Sequence, residues 1–382
     1  MVDLVNLEDM RQLARRRLPP MVFDYLEGGA GSERGLSRNR TALDNVLFNP
    51  HRLVAVDRRD LSVRLFGKTY GMPLAIAPTG LNGVLWPGGD LALARAAARY
   101  DIPFCLSTAS TSTIEDVARA TDAEKWFQLY VLNREQAQAF VRRALQAGYS
   151  TLVLTVDVAV NGKRERDLRS GFKVPFKLSP KIVFDAAMHP RWTLAQLKHG
   201  LPQLANFASA NVADIASQSA LMARQMDAGF DWTAFAALRD LWPHKLIVKG
   251  VLSVADALLM EKAGADAVIF SNHGGRQLED VPAPIELLRL ARETLRIPIL
   301  MDSGIRSGSD IAKAVGSGAT MALSGRALLY GLAAAGEAGV CQVLEMLKGE
   351  LDNTLALLGC VRAESLSCEY LFPGEEKVHP QN

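Results

Sequence analysis

The chain has 382 residues, a length that fits one large α/β barrel or two ordinary domains. Its 49% hydrophobic share and 22% charged share are typical of a globular protein with a sizeable core. A formal net charge of +2 argues against a nucleic-acid binder. The four cysteines have no C-x-x-C spacing, which argues against a metal site or a disulfide framework. We expect neither a signal peptide nor a membrane-spanning helix, because no suitable apolar run occurs.

Eight short apolar segments recur along the chain and alternate with stretches of helical periodicity. They lack strict polar–apolar alternation, which is typical of parallel strands buried on both faces. Eight β-α units predict an α/β fold of the (β/α)8 TIM-barrel type, and a doubly wound open sheet is the alternative. The predicted strands are Met72–Ala77, Pro103–Leu106, Trp126–Leu129, Leu152–Val156, Leu246–Val248, Ala267–Phe270, Ile297–Met301 and Met321–Leu323.

The helical stretches carry start and stop signals. Glu135–Ala147 places its apolar residues on one face, and Gly148 supplies a stop. Ser112 with Glu115 resembles a capping box at the start of another helix. Further helices are expected at Leu7–Leu18, Glu286–Leu295 and Asp310–Val315.

Two regions lie outside the β-α repeat. Residues 1–70 form a predicted helical cap at one end of the barrel, and residues 158–244 form a long insertion after strand four. Within the insertion, residues 172–209 carry five Lys or Arg and one Asp, a charge of +4 that leaves −2 for the remainder. Interleaved apolar residues suit docking on an anionic membrane surface. A subunit contact or a helix packed on the barrel fits the same pattern equally well.

Polar groups follow every predicted strand. Catalytic groups of a barrel collect at the C-terminal ends of its strands, so these residues are expected on one rim. Such a complete set is unusual for a purely structural protein. The residues are Pro78 to Gly80, Ser107 and Thr108, Gln128 and Tyr130, Thr155 and Asp157, Lys249, Ser271 and His273, Asp302 to Arg306, and Ser324 to Arg326.

Two glycine–arginine segments follow strands seven and eight. Gly304 and Arg306 lie in the first, and Gly325 with Arg326 opens the helix after the second. Backbone N–H groups and guanidinium groups at this place in a barrel commonly bind phosphate. Helix caps with surface arginines are the alternative. No G-x-G-x-x-G segment follows an early strand, which argues against a Rossmann dinucleotide site.

His273 is the strongest candidate for a catalytic base. It follows the sixth strand and precedes two glycines, which leave its imidazole accessible. Arg276 is close enough in sequence to bind an acidic substrate, and Asp157 after strand four can stabilise the charged imidazole. Arg164 lies in a charged run whose spacing alone predicts a solvated face.

Lys249 ends an apolar strand, so we expect it to be partly buried beside an anion or a reactive carbonyl. A Schiff-base lysine of an aldolase and a cation that offsets charge on a reduced cofactor both fit this position. Tyr25, in contrast, has the pattern of an ordinary core residue.

The segment Ser271–Gln277 resembles the FMN-dependent 2-hydroxy acid oxidising enzymes, and this resemblance extends from about Asn6 to Ser367. It implies one FMN-binding (β/α)8 barrel domain over residues 1–382. Supporting matches are Trp126–Tyr130, Asp302–Gly304 and Gly325–Arg326. The segments most similar to bacterial members that oxidise (S)-mandelate are Pro78–Gly83, Val160–Gly162 and His189–Trp192.

The resemblance implies a role for each strand-end residue. His273 would be the base with Asp157 as its partner, and Lys249 would stabilise the reduced flavin, which argues against the aldolase interpretation. Substrate contacts would come from Tyr25, Tyr130, Arg164 and Arg276. Contacts to the flavin ring and ribityl chain would come from Pro78, Thr79, Gly80, Ser107, Gln128, Thr155 and Ser271. The phosphate end would be held by Asp302, Gly304, Arg306, Gly325 and Arg326.

The resemblance also implies FMN as cofactor and an (S)-2-hydroxy acid as substrate. We expect (S)-mandelate, because Gly80 and Ala109 leave room for a phenyl group. In membrane-bound members the basic insertion docks on the bilayer, so we expect a peripheral protein, a homotetramer, on the cytoplasmic side of the inner membrane that reduces quinone. The alternative is an oxidase of 4-hydroxymandelate, mandelate or lactate that uses oxygen and forms hydrogen peroxide. A carbanion and a hydride mechanism require the same residues.

Overall fold

The computed structural model describes residues 4–172, 179–200, 202–208 and 226–373. Eight parallel strands form a closed barrel in which the eighth strand pairs with the first. The TIM-barrel prediction is therefore confirmed, and the open-sheet alternative is wrong. The strands are Leu74–Ile76, Phe104–Ser107, Lys125–Leu129, Thr151–Thr155, Lys245–Val251, Ala267–Phe270, Ile299–Met301 and Met321–Ser324.

The barrel strands are buried on both faces, which explains why their sequences do not alternate. Trp126, Val153 and Ile247 belong to a cluster of side chains inside the barrel. Their neighbours Phe127 and Leu152 belong to the larger cluster between the barrel and its helices. Each strand therefore contributes apolar residues to two cores, as parallel strands with helices around them do.

Helices surround the barrel, and each predicted helix has a counterpart within a few residues. The helix predicted at Glu286–Leu295 begins with a 3-10 turn at Pro284–Leu287 and continues as Leu288–Thr294. The helices are Leu7–Arg17, Pro20–Glu27, Arg34–Asn45, Asn82–Leu85, Gly89–Arg99, Ile114–Ala120, Arg134–Gln146, Glu165–Ser170, Pro180–Met188, Pro190–His199, Ala205–Ala208, Trp232–Leu241, Val254–Lys262, Leu288–Thr294, Gly308–Gly316 and Arg326–Leu358.

The predicted capping box at Ser112 and Glu115 is wrong by one residue. The Thr113 hydroxyl accepts a hydrogen bond from the Asp116 N–H at 3.0 Å, and the Asp116 carboxylate accepts from the Thr113 N–H at 3.3 Å. Glu115 binds Arg143 on the next helix instead. Both registers satisfy the sequence pattern of a capping box, so the helix-to-helix ion pair decides between them.

Helix Arg326–Leu358 is long and apolar enough to cross a membrane, but 78% of its most apolar stretch is buried in the protein. It packs on helices Leu7–Arg17 and Gly89–Arg99. A kink divides it at Gly336, where φ is +62° and a Cβ atom would lie 2.6 Å from the Trp86 ring. The helix is therefore a core element whose bend requires glycine.

The N-terminal region contacts both ends of the barrel, although the sequence predicted a cap at one end. Strands Val63–Leu65 and Lys68–Tyr70 form a hairpin whose buried side chains pack against the inner cluster. The Lys245 ammonium, at the start of the fifth barrel strand, lies 5.4 Å from the Phe66 ring centre, so this hairpin closes the N-terminal end. The helices of the region reach the opposite end, where Tyr25 lines a cavity.

The insertion after the fourth strand contains helices Glu165–Ser170, Pro180–Met188 and Pro190–His199. Trp192 anchors it to the barrel, because its indole N–H donates to the Val84 carbonyl at 2.8 Å. Residues 173–178, 201 and 209 of the predicted basic segment lie outside the described residues, and Lys173 and Lys177 are among them.

Leu65 tests the role of the hairpin. We expect Leu65→Ala to lower the free energy of unfolding by about 2–5 kcal/mol, because truncation leaves a cavity beneath the barrel. Denaturant unfolding measures this loss. Arg64→Ala, on the exposed side of the same strand, is the control and should change stability by less than about 0.5 kcal/mol. An equal loss in both variants would contradict a plug made by one face of the hairpin.

Candidate active site

A cavity opens at the C-terminal end of the barrel, and it is lined by residues from all eight strands or from the loops that follow them. The closed sheet brings these strand ends together although they are far apart in sequence. Four predicted site residues, Asp157, Gln128, Thr155 and Ser271, are not in its lining. The predicted residues that line it are Tyr25, Pro78, Thr79, Gly80, Ser107, Tyr130, Arg164, Lys249, His273, Arg276, Asp302, Gly304, Arg306, Gly325 and Arg326.

His273 lies between a carboxylate and a phenol. Its Nδ1 is 3.1 Å from Oδ1 of Asp157, and its Nε2 is 3.2 Å from the Tyr130 hydroxyl. Burial raises the pKa of Asp157, but His273 and Lys249 outweigh burial, so that pKa lies below its ordinary value. Asp157 is therefore an anion that holds Nδ1 as a donor and leaves Nε2 toward the cavity.

Gly250 allows this approach of Asp157. A Cβ atom at Gly250 would lie 2.6 Å from the Asp157 carboxyl carbon, and the glycine has φ of +98°. The strand pairing also shifts register between Lys249 and Val251. A bulge at the end of the fifth strand thus makes room for the carboxylate behind the histidine.

The turn that carries His273 has an unusual backbone. His273, Gly274 and Gly275 have φ of +57°, +64° and +73°, all in the left-handed region. Glycine adopts this conformation freely, but for His273 it costs about 1–3 kcal/mol. The His273 N–H donates to the Ser271 hydroxyl at 3.0 Å, which helps to hold the turn.

Two guanidinium groups line the cavity near the histidine. Arg276 donates through Nη1 to the carbonyls of Tyr25 at 2.9 Å and Gly28 at 2.6 Å, and it lies 5.1 Å from the Tyr25 ring centre. The side chain of Arg164 is 11% exposed, so the solvated face expected from its spacing is wrong. The chain turns inward because Gly162 packs on the backbone of Arg276, where a Cβ atom would lie 2.5 Å from the carbonyl oxygen. Paired guanidinium groups of this kind can bind one carboxylate.

Lys249 is buried in an ion pair. Its ammonium lies 2.9 Å from Oδ2 of Asp302 and donates to the Ser271 hydroxyl at 2.8 Å. Burial lowers the pKa of Lys249, but Asp302 and Asp157 outweigh burial, so that pKa lies above its ordinary value. Schiff-base formation requires a neutral amine, so this geometry disfavours the aldolase interpretation and favours a fixed cation.

The polar residues behind the cavity form a chain across three strands. The Ser107 hydroxyl donates to Oε1 of Gln128 at 3.0 Å, and Nε2 of Gln128 donates to the Thr155 hydroxyl at 3.0 Å. All three side chains are buried. The chain therefore satisfies the polar groups that the strands bring to the cavity floor, and it orients Ser107 toward the cavity.

The family comparison identifies the group that the cavity accepts. Residues 14–373 match the FMN-dependent dehydrogenase family. The chain belongs to this family. FMN is its cofactor, and the predictions of an FMN-dependent enzyme that oxidises 2-hydroxy acids are confirmed.

Relatives of this FMN-dependent dehydrogenase differ in the substrates that their names give. The chain is 56% identical to an (S)-mandelate dehydrogenase of Pseudomonas putida, over 97% of this chain and 94% of the relative. It is 38% identical to an L-lactate dehydrogenase of Pseudomonas aeruginosa, over 95% of this chain and 97% of the relative. A peroxisomal (S)-2-hydroxyacid oxidase of Arabidopsis thaliana is 35% identical, over 99% of both chains.

Solved structures give the same family. The crystal structure of the monotopic membrane protein (S)-mandelate dehydrogenase matches with a TM-score of 0.95 and 56% identity, over 97% of this chain and 100% of that chain. A mandelate oxidase variant with (S)-mandelic acid matches with a TM-score of 0.82 and 33% identity, over 96% of this chain and 98% of that chain. The resemblance to mandelate-oxidising members is thus confirmed.

The phosphate end of FMN fits a cluster of cations in this dehydrogenase. Arg306 and Arg326 line the cavity beside Arg276. Burial, together with the charges of Arg276 and Arg306, lowers the pKa of Arg326 to about 9. Gathering these charges away from water is unfavourable unless an anion joins them, so the cluster suits the phosphate of FMN. At Gly304 the backbone can approach the phosphate closely, because the residue has no Cβ atom. Its φ of +112° and the nearby Leu43 side chain exclude one.

Sequence reasoning missed most of the apolar wall. Met226 reaches the cavity from within the insertion, and the N–H of the neighbouring Asp227 donates to the Val131 carbonyl at 2.8 Å. No local pattern marks Met226, whereas Leu329 could have been found as the residue one helical turn after Arg326. The apolar lining comprises Leu26, Ala77, Leu81, Ala109, Met226, Ile305, Leu323 and Leu329.

The arginine cluster predicts how ligands stabilise the flavin-free protein. We expect FMN to raise the melting temperature more than riboflavin does, because only FMN carries a phosphate. A ligand at 100 times its Kd adds about 2.7 kcal/mol to the free energy of unfolding. Arg306→Gln should shrink the FMN shift and leave the riboflavin shift unchanged. Arg289→Gln, on the exposed surface, is the control. Equal shifts with FMN and riboflavin in the unaltered protein would contradict a phosphate site.

Proposed function

We propose that this protein oxidises (S)-mandelate to phenylglyoxylate. The observation that carries the proposal is the hydrogen-bonded series Asp157–His273–Tyr130. Its His273 and Tyr130 line the same cavity as Arg164 and Arg276. The 56% identity to an (S)-mandelate dehydrogenase supports the same substrate. We take the residue roles as part of this proposal.

The protein's part in the reaction is to bind the acid and to move one proton. Arg164 and Arg276 bind the substrate carboxylate, which fixes the hydroxyl-bearing carbon beside His273. Nε2 of His273 accepts a proton, and Asp157 stabilises the imidazolium that results. Bound FMN would supply the two-electron oxidant and would take up the second hydrogen of the substrate. The Lys249 ammonium provides a fixed positive charge for the negative charge that reduction creates.

Two small residues in the cavity wall favour an aromatic substrate. Gly80 and Ala109 both line it, and a Cβ atom on Gly80 would lie 2.9 Å from Cβ of Ala109. A side chain at position 80 would therefore collide with Ala109. The Tyr25 hydroxyl donates to the Gly80 carbonyl at 3.3 Å and fixes this wall. We infer that the space they leave holds a phenyl group.

The visible spectrum under anaerobic conditions tests the substrate. We expect (S)-mandelate to bleach the flavin band and to give a higher kcat/KM than lactate or glycolate. Asp157→Asn should lower the bleaching rate by about 100-fold or more, because the histidine loses its anionic partner. Asp240→Asn, at an exposed position, is the matched control. A preference for glycolate would overturn the proposal that mandelate is the substrate. A flavin band that no 2-hydroxy acid bleaches would overturn the proposal that this protein oxidises such acids.

We further propose that the insertion docks this protein on an anionic membrane surface, as a peripheral protein on the cytoplasmic side of the inner membrane. A relative is a monotopic membrane protein. Leu194 and Leu197 on helix Pro190–His199 are 65% and 73% exposed, and Phe184 on the preceding helix is 64% exposed. Arg191 and Lys198 are exposed on the same helix as the two leucines. Exposed apolar side chains among basic residues favour the interface of an anionic bilayer.

Vesicle sedimentation tests the docking surface. We expect the protein to sediment more with anionic vesicles than with neutral ones, because each basic residue near an anionic surface contributes about 1 kcal/mol to the binding free energy. A Leu194→Ser/Leu197→Ser double variant should bind at least about tenfold less tightly. Leu259→Ser/Leu290→Ser, which removes two exposed leucines elsewhere, is the control. Equal losses in both double variants would argue against a specific docking surface.

The electron acceptor follows from the docking proposal. A protein held at the membrane reaches quinone, and we propose quinone as its acceptor. The alternative is oxygen, which an (S)-2-hydroxyacid oxidase among the relatives supports. Peroxide formed under air, with and without a soluble quinone, separates the two acceptors. The homotetramer stays a prediction.

A further inference from the structure

The helix Arg34–Asn45 packs directly on the turn that carries His273. A Cβ atom on Gly275 would lie 2.9 Å from the backbone nitrogen of Leu36, so the helix touches the turn through backbone. The Ala30 N–H, just before the helix, donates to the Gly275 carbonyl at 2.9 Å. Contact this close leaves the turn little freedom on the side that faces the helix.

A pair of buried amides joins the two elements. Nδ2 of Asn39 donates to Oδ1 of Asn272 at 2.9 Å, and Nδ2 of Asn272 donates to Oδ1 of Asn39 at 2.6 Å. Each residue is 3% exposed. Oδ1 of Asn272 also accepts from the Gly275 N–H at 3.0 Å. Asn272 precedes His273, so the amide pair holds both ends of the left-handed turn.

Ser303 holds the turn from its other side. Its hydroxyl oxygen accepts from the N–H groups of Asn272 at 3.3 Å and Gly274 at 3.0 Å. The same hydroxyl donates to Oδ1 of Asp302 at 2.8 Å, and Asp302 binds Lys249. The strained turn is therefore fixed by the Asn39 amide on helix Arg34–Asn45 and by the Ser303 hydroxyl after the seventh strand.

We propose that Asn39 is a positioning residue for His273. This inference rests on the proposed function, in which His273 is the base. Asn39 does not line the cavity, and it acts through Asn272 on the backbone that aims the imidazole. A left-handed histidine persists only where its surroundings fix it, and the amide pair supplies that constraint. Loss of the pair lets the imidazole leave its position between Asp157 and Tyr130.

Anaerobic reduction of the flavin tests this role. We expect Asn39→Leu, a change of similar volume, to lower the rate constant of flavin reduction by (S)-mandelate by about 10- to 100-fold, because small misplacements of reacting groups slow reactions by such factors. The Kd for phenylglyoxylate, a product that does not need the base, should change less than threefold. The primary deuterium isotope effect with 2-deuterated mandelate should remain fully expressed.

Asn39→Asp supplies a second test that does not depend on the leucine variant. A neutral carboxyl has one O–H donor and one carbonyl acceptor, as the amide has, whereas an ionised carboxyl has no donor. We expect its reduction rate, divided by that of the unaltered protein at each pH, to rise at least about threefold from pH 8.5 to pH 5.5. The same ratio for Asn39→Leu should stay constant. If Asn39→Leu does not retain FMN, the Asn39→Asp ratio alone decides.

Asn45→Ala, at the exposed end of the same helix, is the control and should retain the full rate. Melting temperature and bound flavin are measured for every variant, so that a general loss of structure is separated from misplacement of the base. A reduction rate in Asn39→Leu within threefold of that of the unaltered protein, or a pH-independent ratio in Asn39→Asp, would overturn this inference. Either result would leave the proposed function intact. If none of the 2-hydroxy acids reduces the flavin of the unaltered protein, the proposed function is wrong, and the inference that rests on it is wrong as well.

Discussion

Closure of the parallel sheet is the constraint on which the active site depends. The eighth strand pairs with the first, so the C-terminal ends of all eight strands meet on one rim. Asp157 and His273 are 116 residues apart in sequence, yet their side chains are 3.1 Å apart because their strands share that rim. A sheet with open edges would hold its end strands far from each other. The cavity would then lose part of its wall.

Positive charge dominates the cavity that closure creates. Lys249 is paired with Asp302, and His273 is paired with Asp157. The guanidinium groups of Arg276, Arg306 and Arg326 lie close enough together to affect one another's charge. Burial, together with the charges of Arg276 and Arg306, lowers the pKa of Arg326. The phosphate of the FMN cofactor and the carboxylate of the proposed substrate each bring a negative charge to this cluster. The site is therefore completed electrostatically by the molecules that it binds.

The histidine turn shows how the site is kept rigid. His273 occupies a left-handed backbone conformation, and helix Arg34–Asn45 and Ser303 hold its turn from two sides. Asn39, which is not in the lining of the cavity, therefore contributes to its geometry. The N-terminal helices are part of the active site in this physical sense, although the barrel strands carry the reacting groups.

The sequence by itself determined the barrel and the identities of the groups on its rim. Apolar runs such as Ala267–Phe270 are local signals of buried strands, and the polar residue after a barrel strand has only one end of the sheet to occupy. Only the tertiary structure decided the burial of Arg164, the arrival of Met226 and the pairing of Asn39 with Asn272. Each of these depends on contacts between segments far apart in the chain, and spacing within one segment carries no information about such contacts.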